Sequence, residues 1–111
     1  MKTASKKAKG RKLQDSVRDK LLSCFTFLEQ DDIKSAIMGE SGEDIKLSPA
    51  ARKVIPYSFE CKNQERLNIW ESLKQAEDNS GKFEPVLIFK RNRTKTYAAI
   101  DIELFLKLIG D

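Results

Sequence analysis

Residues 85–90 (PVLIFK) form a short apolar run that constrains the fold more than any other segment of this chain. The run is apolar at odd and even positions alike, which is typical of a central strand with both faces buried. Asn92 and Arg93 follow as a turn, and residues 96–100 are predicted to return as the next strand. A central strand of this kind requires helices packed on the faces of its sheet.

The remaining segments alternate between helical and extended patterns. In chain order we predict a helix over residues 13–28, a loop over 29–42 with a short strand in it as the alternative, and a short strand over 44–47. A helical turn over 48–53, a strand over 57–62, a helix after 68 that stops at the 79–81 cluster and a last helix after 101 follow. The last helix is expected to pack through Leu104, Phe105, Leu108 and Ile109. This order mixes hairpins with a crossover and predicts an α/β fold with a mixed sheet.

Composition limits the chemistry that the chain can perform. It has 111 residues, 40% of them hydrophobic and 34% charged, which suits one domain with a single core. Because it has no histidine, histidine-based acid–base chemistry is excluded, and two scattered cysteines disfavour structural zinc. We expect Cys24 and Cys61 to be buried free thiols of a reducing compartment. With no apolar run of about 20 residues and no secretory signal, we expect a cytoplasmic protein without membrane contact.

The net charge of +4 is unevenly distributed along the chain. Residues 1–12 contain six basic and no acidic side chains, whereas the rest of the chain has a net charge of −2. We therefore predict a basic flexible tail over residues 1–12 and a single domain over residues 13–111. Such a tail suits contact with nucleic-acid phosphates, and a purely solubilising tail is the alternative.

Glu60, Cys61 and Lys62 place a carboxylate and an ammonium on one face of a predicted strand, because side chains alternate along a strand. With Asp44 on the preceding short strand, this set suits a metal-dependent phosphodiesterase. Two carboxylates would hold a divalent ion against the scissile phosphate, and the lysine would orient or deprotonate the attacking water.

The triplet itself carries little weight. Chance gives roughly two acid-x-Lys triplets in such a composition, and three occur, at residues 32–34, 44–46 and 60–62. The third alone lies in a strand-like run with bulky apolar neighbours, where charges are costly to bury without partners or a metal. The alternatives are a solvated salt pair on an edge strand, and a competing site built from Asp32 with Asp44 and Lys46.

Several longer segments together resemble the PD-(D/E)XK nucleases. They are residues 9–14 (KGRKLQ), 41–45 (SGEDI), 48–53 (SPAARK), 59–63 (FECKN), 67–70 (LNIW) with Gln75, and 87–93 (LIFKRNR). The chain is most similar to small phage-type PD-(D/E)XK endonucleases, related in outline to archaeal Holliday-junction resolvases. The resemblance implies a restriction-endonuclease-like fold with a mixed four- to five-stranded sheet flanked by helices.

The resemblance also implies roles for individual residues. Asp44 and Glu60 would be the metal-binding carboxylates, Cys61 would contribute its backbone carbonyl, and Lys62 would be the catalytic lysine. Gln14 stands where resolvases carry a metal-binding glutamate, which favours one Mg²⁺ or Mn²⁺ ion over two. A polar residue that caps the first helix against the sheet is the alternative for Gln14. Glu43 replaces the proline of the family name without consequence.

Other polar residues are candidates for supporting the lysine or for binding nucleic acid. Gln75 on the second long helix is expected to reach a phosphate or Lys62, and Trp70 is expected to lie in the core. The candidate nucleic-acid-binding residues are Lys9, Arg11, Lys12, Asn63, Arg91, Arg93 and Lys95. For the last three, keeping a sheet edge soluble is the alternative. Asn63 and Glu65 follow the strand that carries Glu60 and Lys62 and are expected to bind the substrate strand, with capping of the second long helix as the alternative.

Taken together, these patterns predict a divalent-metal-dependent endodeoxyribonuclease, with selectivity for branched DNA such as a Holliday junction. The alternatives are a non-catalytic DNA-binding module on the same fold and an RNA-directed nuclease. A chain of this size shows no separate specificity domain, so shape recognition of DNA by a homodimer is the expected mode. The expected location is the cytoplasm of a bacterial or phage-infected cell.

Overall fold

The computed structural model describes residues 2–110 as four α-helices and five strands. The helices are α1 (Lys2–Cys24), α2 (Pro49–Val54), α3 (Ile69–Asp78) and α4 (Ile102–Gly110). The strands are β1 (Ile33–Ser35), β2 (Ile45–Leu47), β3 (Tyr57–Asn63), β4 (Glu84–Lys90) and β5 (Tyr97–Ala99). A 3₁₀ turn, Gln30–Asp32, precedes β1. The predicted α/β class is confirmed.

The strands form two sheets rather than the predicted single sheet of four to five strands. β1 and β2 pair antiparallel, while β3, β4 and β5 form a three-stranded sheet with β4 at its centre. β3 and β4 are parallel and β4 and β5 antiparallel, so the larger sheet is mixed, as predicted.

The two sheets meet at Asp44. Its N–H donates to the carbonyl of Phe59, but the N–H of Cys61 donates to the Asp44 side chain (2.7 Å) rather than to a carbonyl. This side-chain acceptor interrupts the ladder between β2 and β3, which explains why the predicted single sheet is divided.

Capping side chains set the helix boundaries that the sequence predicts. The hydroxyl of Ser48 accepts the N–H of Ala51 at the start of α2, and Asn68 accepts the N–H of Glu71 at the start of α3. The Asp101 carboxylate accepts the N–H of Leu104 in α4 (2.9 Å). Each acceptor satisfies a donor that the first turn of a helix leaves free.

Helix α1 begins at Lys2, earlier than the predicted start at residue 13. Residues 2–12 are rich in lysine, alanine and arginine, which favour helix, and they continue the turns that bury Leu13 and Val17 against the core. The flexibility of residues 1–12 stays a prediction. Met1 of that segment and Asp111 of the predicted domain lie outside the described residues.

The core lies where both sheets and α1 meet. Its four fully buried large side chains are Ile33, Ile45, Ile55 and Leu87. Ile45 follows Asp44 directly, so burial of this side chain holds the adjacent carboxylate beside β3. Burying such an aliphatic side chain contributes about 1.5–3 kcal/mol.

The packing predictions for most of α4 and for Cys24 are wrong. In α4, Leu104 is buried but Phe105, Leu108 and Ile109 are exposed, because only the Leu104 side of the helix reaches the core. Cys24 is also exposed, since Phe25 and Leu28 cover the core where α1 ends. Cys61 is buried, as predicted. Within residues 2–110, no helix combines the length and apolarity required to cross a membrane.

Candidate active site

Strand β3 carries Glu60 into the interior of the protein. Glu60 is 3% exposed, and its Oε2 lies 3.9 Å from the Lys62 ammonium, which is half-buried. The side chains of Phe59 and Cys61 alternate with these two and are buried as well. The alternative of a solvated edge-strand pair does not fit Glu60, whose carboxylate is buried although β3 lies at the edge of its sheet.

Asp44 is attached to β3 by its backbone and by its side chain. Its N–H donates to the carbonyl of Phe59 (2.9 Å), and its Oδ2 accepts the N–H of Cys61 (2.7 Å). These two bonds place the Asp44 carboxylate at the level of Glu60 on the neighbouring strand. Asp44 and Glu60 thus come together although they belong to different sheets.

The surroundings leave this carboxylate pair short of positive charge. Burial raises the pKa of Asp44 above its ordinary value, although the Cys61 N–H and the Lys62 charge oppose the rise. Burial, followed by the charge of Asp44, raises the pKa of Glu60, against the hydrogen bond from Asn79 and the charge of Lys62. Burial also raises the pKa of the Cys61 thiol, so it stays protonated at neutral pH. Glu60 is buried and Asp44 half-buried, and burial outweighs the ammonium charges of Lys62 and, for Asp44, of Lys46, so a further cation would favour the charged forms of both carboxyls.

A cavity of about 680 Å³ opens over the carboxylates. All five predicted catalytic residues line it, namely Gln14, Asp44, Glu60, Lys62 and Gln75. They come from α1, the segment before β2, strand β3 and α3. The fold therefore brings together side chains that are as far as 61 positions apart in the chain.

The predicted nucleic-acid-binding residues are divided among several surfaces. Lys9 and Asn63 line the 680 Å³ cavity, and the Asn63 amide is 3.5 Å from the carbonyl of Lys9. Arg11 lines a second cavity that shares Gln14 and Asp44 with the first. The structure does not bring the others into the carboxylate cavity. Lys12 is exposed, Arg91 lines a third cavity beside β4, and Arg93 and Lys95 are exposed on the β4–β5 turn.

The donor set suits one magnesium or manganese ion. Within residues 2–110, no group of three or more His, Cys, Asp or Glu side chains is arranged to hold a metal. Asp44 and Glu60 offer two carboxylates, and the backbone carbonyl of Cys61 is the predicted neutral donor. Mg²⁺ is commonly held by one or two carboxylates together with water and substrate phosphates, so a pair is a fitting set. The raised pKa values of both carboxyls are consistent with a site that takes up a cation.

Asn79 belongs to the site but was missed by the sequence interpretation, which treated it as a helix stop. Its Nδ2 donates to Glu60 Oε1 (3.2 Å), while its backbone ends α3. The signal that could have found it is its spacing of four from Gln75, which places both residues on one face of α3. Lys6, Gly10, Gln64 and Arg66 also line the cavity and were not singled out as site residues, whereas Glu65, a predicted contact for the substrate strand, lines it as well.

The competing site based on Asp32 is engaged in structural contacts. Asp32 accepts the Ser48 hydroxyl (2.6 Å) and the N–H of Glu29 (2.8 Å), so it ties a 3₁₀ turn to α2. These hydrogen bonds, the Ser48 one foremost, lower the pKa of Asp32. Lys46 Nζ donates to the carbonyl of Ser41 (2.7 Å) and does not line the 680 Å³ cavity.

Trp70 is 79% exposed, so the prediction that it lies in the core is wrong. Helix α3 buries the face that carries Ser72 and Ala76, and Trp70 lies away from that face. Its indole is consequently available to solvent near the start of the helix.

Comparison with protein-family models, with curated proteins and with solved structures found no match. The restriction-endonuclease-like fold and the membership of the PD-(D/E)XK nucleases therefore stay predictions. Function has to be inferred from the geometry of the carboxylate cavity.

Proposed function

We propose that this protein is a divalent-metal-dependent endodeoxyribonuclease that hydrolyses phosphodiester bonds in branched DNA. The observation that supports this proposal most directly is the convergence of Asp44, Glu60 and Lys62 in one cavity, with Gln14 and Gln75 on its walls. Burying the Glu60 carboxylate beside the half-buried Asp44 carboxylate costs stability, and a bound cation would offset that cost.

In this proposal, Asp44, Glu60 and the carbonyl of Cys61 hold one Mg²⁺ or Mn²⁺ ion. When bound, the ion supplies Lewis-acid polarisation of the scissile phosphate. Lys62, whose ammonium lies 3.9 Å from Glu60, is placed to orient the attacking water by donating a hydrogen bond. Only the neutral amine of Lys62 could accept a proton from that water. Asn79 and the N–H of Cys61 keep the two carboxylates in place through the hydrogen bonds described above.

Basic side chains on the wall of the cavity provide contacts for the DNA backbone. Lys6, Lys9 and Arg66 line the same space as the carboxylates. Phosphate contacts of this kind position a strand without reading its sequence. This arrangement supports recognition by shape, which is what a branched substrate requires.

The proposed active form is a homodimer, because two copies can engage two arms of a branched DNA. The exposed apolar side chains of α4, including Phe105, Leu108 and Ile109, offer a surface that a second copy would cover.

The test is a cleavage assay on linear, nicked, flapped and four-way-junction DNA with Mg²⁺, Mn²⁺ or EDTA. We expect metal-dependent cleavage that Asp44→Asn and Glu60→Gln abolish, while DNA binding stays the same or tightens, because each change removes negative charge near phosphate. Asp31→Asn is the matched control, since this side chain is 96% exposed.

Undiminished turnover by Asp44→Asn or Glu60→Gln would end the metal-nuclease proposal. DNA binding by the wild type without cleavage under any metal condition would favour the non-catalytic module. Cleavage of RNA but not of the DNA substrates would favour the RNA-directed nuclease.

A further inference from the structure

A second cleft, of about 320 Å³, lies next to the carboxylate cavity. One wall is the segment that follows β3, and the other is the end of β4 with the turn that leads to β5. The N–H of Gln64 donates to the carbonyl of Lys90 (3.2 Å), and the N–H of Asn92 donates to Glu65 Oε2 (2.6 Å). These bonds tie the two walls together, so the cleft is a built feature of the fold.

The lining of this cleft is aromatic and aliphatic. Phe89 and Tyr97 are paired across β4 and β5, with ring centroids 6.1 Å apart and planes inclined by 33°. Leu67 and Ile69, both half-buried, line the same space. Tyr97 is 53% exposed on the outer strand of the sheet, so part of its ring remains accessible. A flat apolar group entering the cleft would therefore find a ring to stack on.

The rim of the cleft is cationic and continuous with the carboxylate cavity. Lys90 and Arg91 line the cleft beside Tyr97. Gln64 and Glu65 line both the cleft and the 680 Å³ cavity, so the two spaces share a wall. A strand whose phosphate lies over the carboxylates can thus extend toward Arg91.

We propose that this cleft takes one unpaired nucleobase of the DNA strand that is cut, stacked against Tyr97. The inference rests on the proposed nuclease function and specifies its substrate class. A base can reach an aromatic ring in a cleft only when it is unstacked and unpaired, as at the branch point of a junction or in a flap. The cleft therefore selects DNA with a single-stranded position next to the scissile phosphate over intact duplex.

The experiment measures binding in EDTA by anisotropy of a labelled single-stranded oligodeoxynucleotide, of the same strand with abasic positions, and of the matching duplex. Tyr97→Ala is expected to weaken binding of the base-bearing strand by about 5- to 150-fold, the range for removal of one stacked base. Binding of the abasic strand and of the duplex should not change. Tyr97→Phe keeps the ring and is expected to bind like the wild type.

Two further variants keep this test interpretable. Tyr97→Leu retains apolar bulk without a ring and should weaken binding as Tyr97→Ala does, which separates stacking from a folding defect. Phe27→Ala removes another exposed aromatic ring that lines neither cavity, and it should leave binding unchanged. Equal affinity of the wild type for base-bearing and abasic strands would overturn the inference, as would equally weakened binding by Tyr97→Ala and Tyr97→Phe.

The binding readout is independent of catalysis because EDTA removes divalent ions. Metal-dependent cleavage combined with base-independent binding would overturn the nucleobase cleft alone. Base-dependent binding without any cleavage would overturn the nuclease proposal and retain the cleft as a single-strand-binding site.

Discussion

Replacing Asn79 by alanine tests whether the amide at the end of α3 positions the charged form of Glu60. Asn79 Nδ2 donates to Glu60 Oε1 at 3.2 Å, and this bond lowers the pKa of Glu60 against the larger effect of burial. A hydrogen bond to a charged acceptor contributes about 1.5–3 kcal/mol, and one between neutral groups about 0.5–1.5 kcal/mol. The stability cost of Asn79→Ala should therefore depend on whether Glu60 is ionised.

The sign follows from proton linkage. Burial raises the pKa of Glu60 above 4.5, so in the metal-free protein its folded form holds the proton more tightly than its unfolded form. This contribution to stability is present below 4.5 and is lost as pH rises through the raised value. Asn79→Ala raises the pKa further, because it removes a bond that favours the carboxylate. The variant should lose more stability than the wild type as pH increases.

The assay is thermal or urea unfolding in EDTA at about pH 4 and about pH 8. We expect the cost of Asn79→Ala to grow by about 1 kcal/mol between the two conditions, which corresponds to about 4 °C in Tm for a domain of this size. Asn68→Ala is the matched control. It removes the side chain that accepts the N–H of Glu71 at the other end of the same helix, and this hydrogen bond involves no ionisable group. Its cost of about 1 kcal/mol should not change with pH.

Glu60→Gln provides the decisive background. In that variant the carboxamide cannot ionise, so the pH-dependent part of the Asn79→Ala cost should vanish. A cost that is the same at both pH values in the wild-type background would refute the role of Asn79 in holding the charged Glu60. An unchanged pH dependence in the Glu60→Gln background would assign that dependence to another group.

Two other predictions follow from the site. Lys62→Ala should lower kcat by about 10²–10⁴. The same change at the exposed Lys34 should leave kcat unchanged. An effect of Lys62→Ala confined to KM would make Lys62 a phosphate-binding residue only. Deleting residues 1–8 removes Lys6 from the wall of the carboxylate cavity. For each phosphate that the protein no longer neutralises, the slope of the logarithm of the binding constant against the logarithm of the salt concentration should fall by about 0.9 on duplex DNA. An unchanged slope in binding titrations would mean that this segment serves solubility only.

Local rules were sufficient for much of the fold. Ser48, Asn68 and Asp101 cap helices where the sequence predicts helix starts. The apolar run over residues 85–89 identifies the central strand β4, in which the neighbouring side chains of Val86 and Leu87 are buried on opposite faces. The clustering of Asp44 with Glu60 was expected because both match the metal-binding carboxylates of the PD-(D/E)XK pattern that the chain resembles, and the two residues line one cavity.

What the sequence could not indicate depends on contacts between distant segments. The division into two sheets follows from one side chain, Asp44, that takes the N–H of Cys61 in place of a carbonyl. The exposure of Trp70 depends on which face of α3 meets the sheet, and its apolar spacing alone does not determine that face. The role of Asn79 was concealed because an asparagine followed by serine and glycine is also typical of a helix end.

The junction of the two sheets has a mechanical consequence. Asp44 belongs to the β1–β2 side and Glu60 to the β3–β5 side. The amides of Asp44 and Cys61 connect the two sides directly, and Arg52 links Glu43 to the carbonyl of Tyr57 nearby. Sliding one sheet along the other changes the spacing of the carboxylates before it disturbs either strand ladder. The distance between the two carboxylates therefore depends on how the two sheets are docked. The hydrogen-exchange rates of the Asp44 and Cys61 amides report whether the site is assembled.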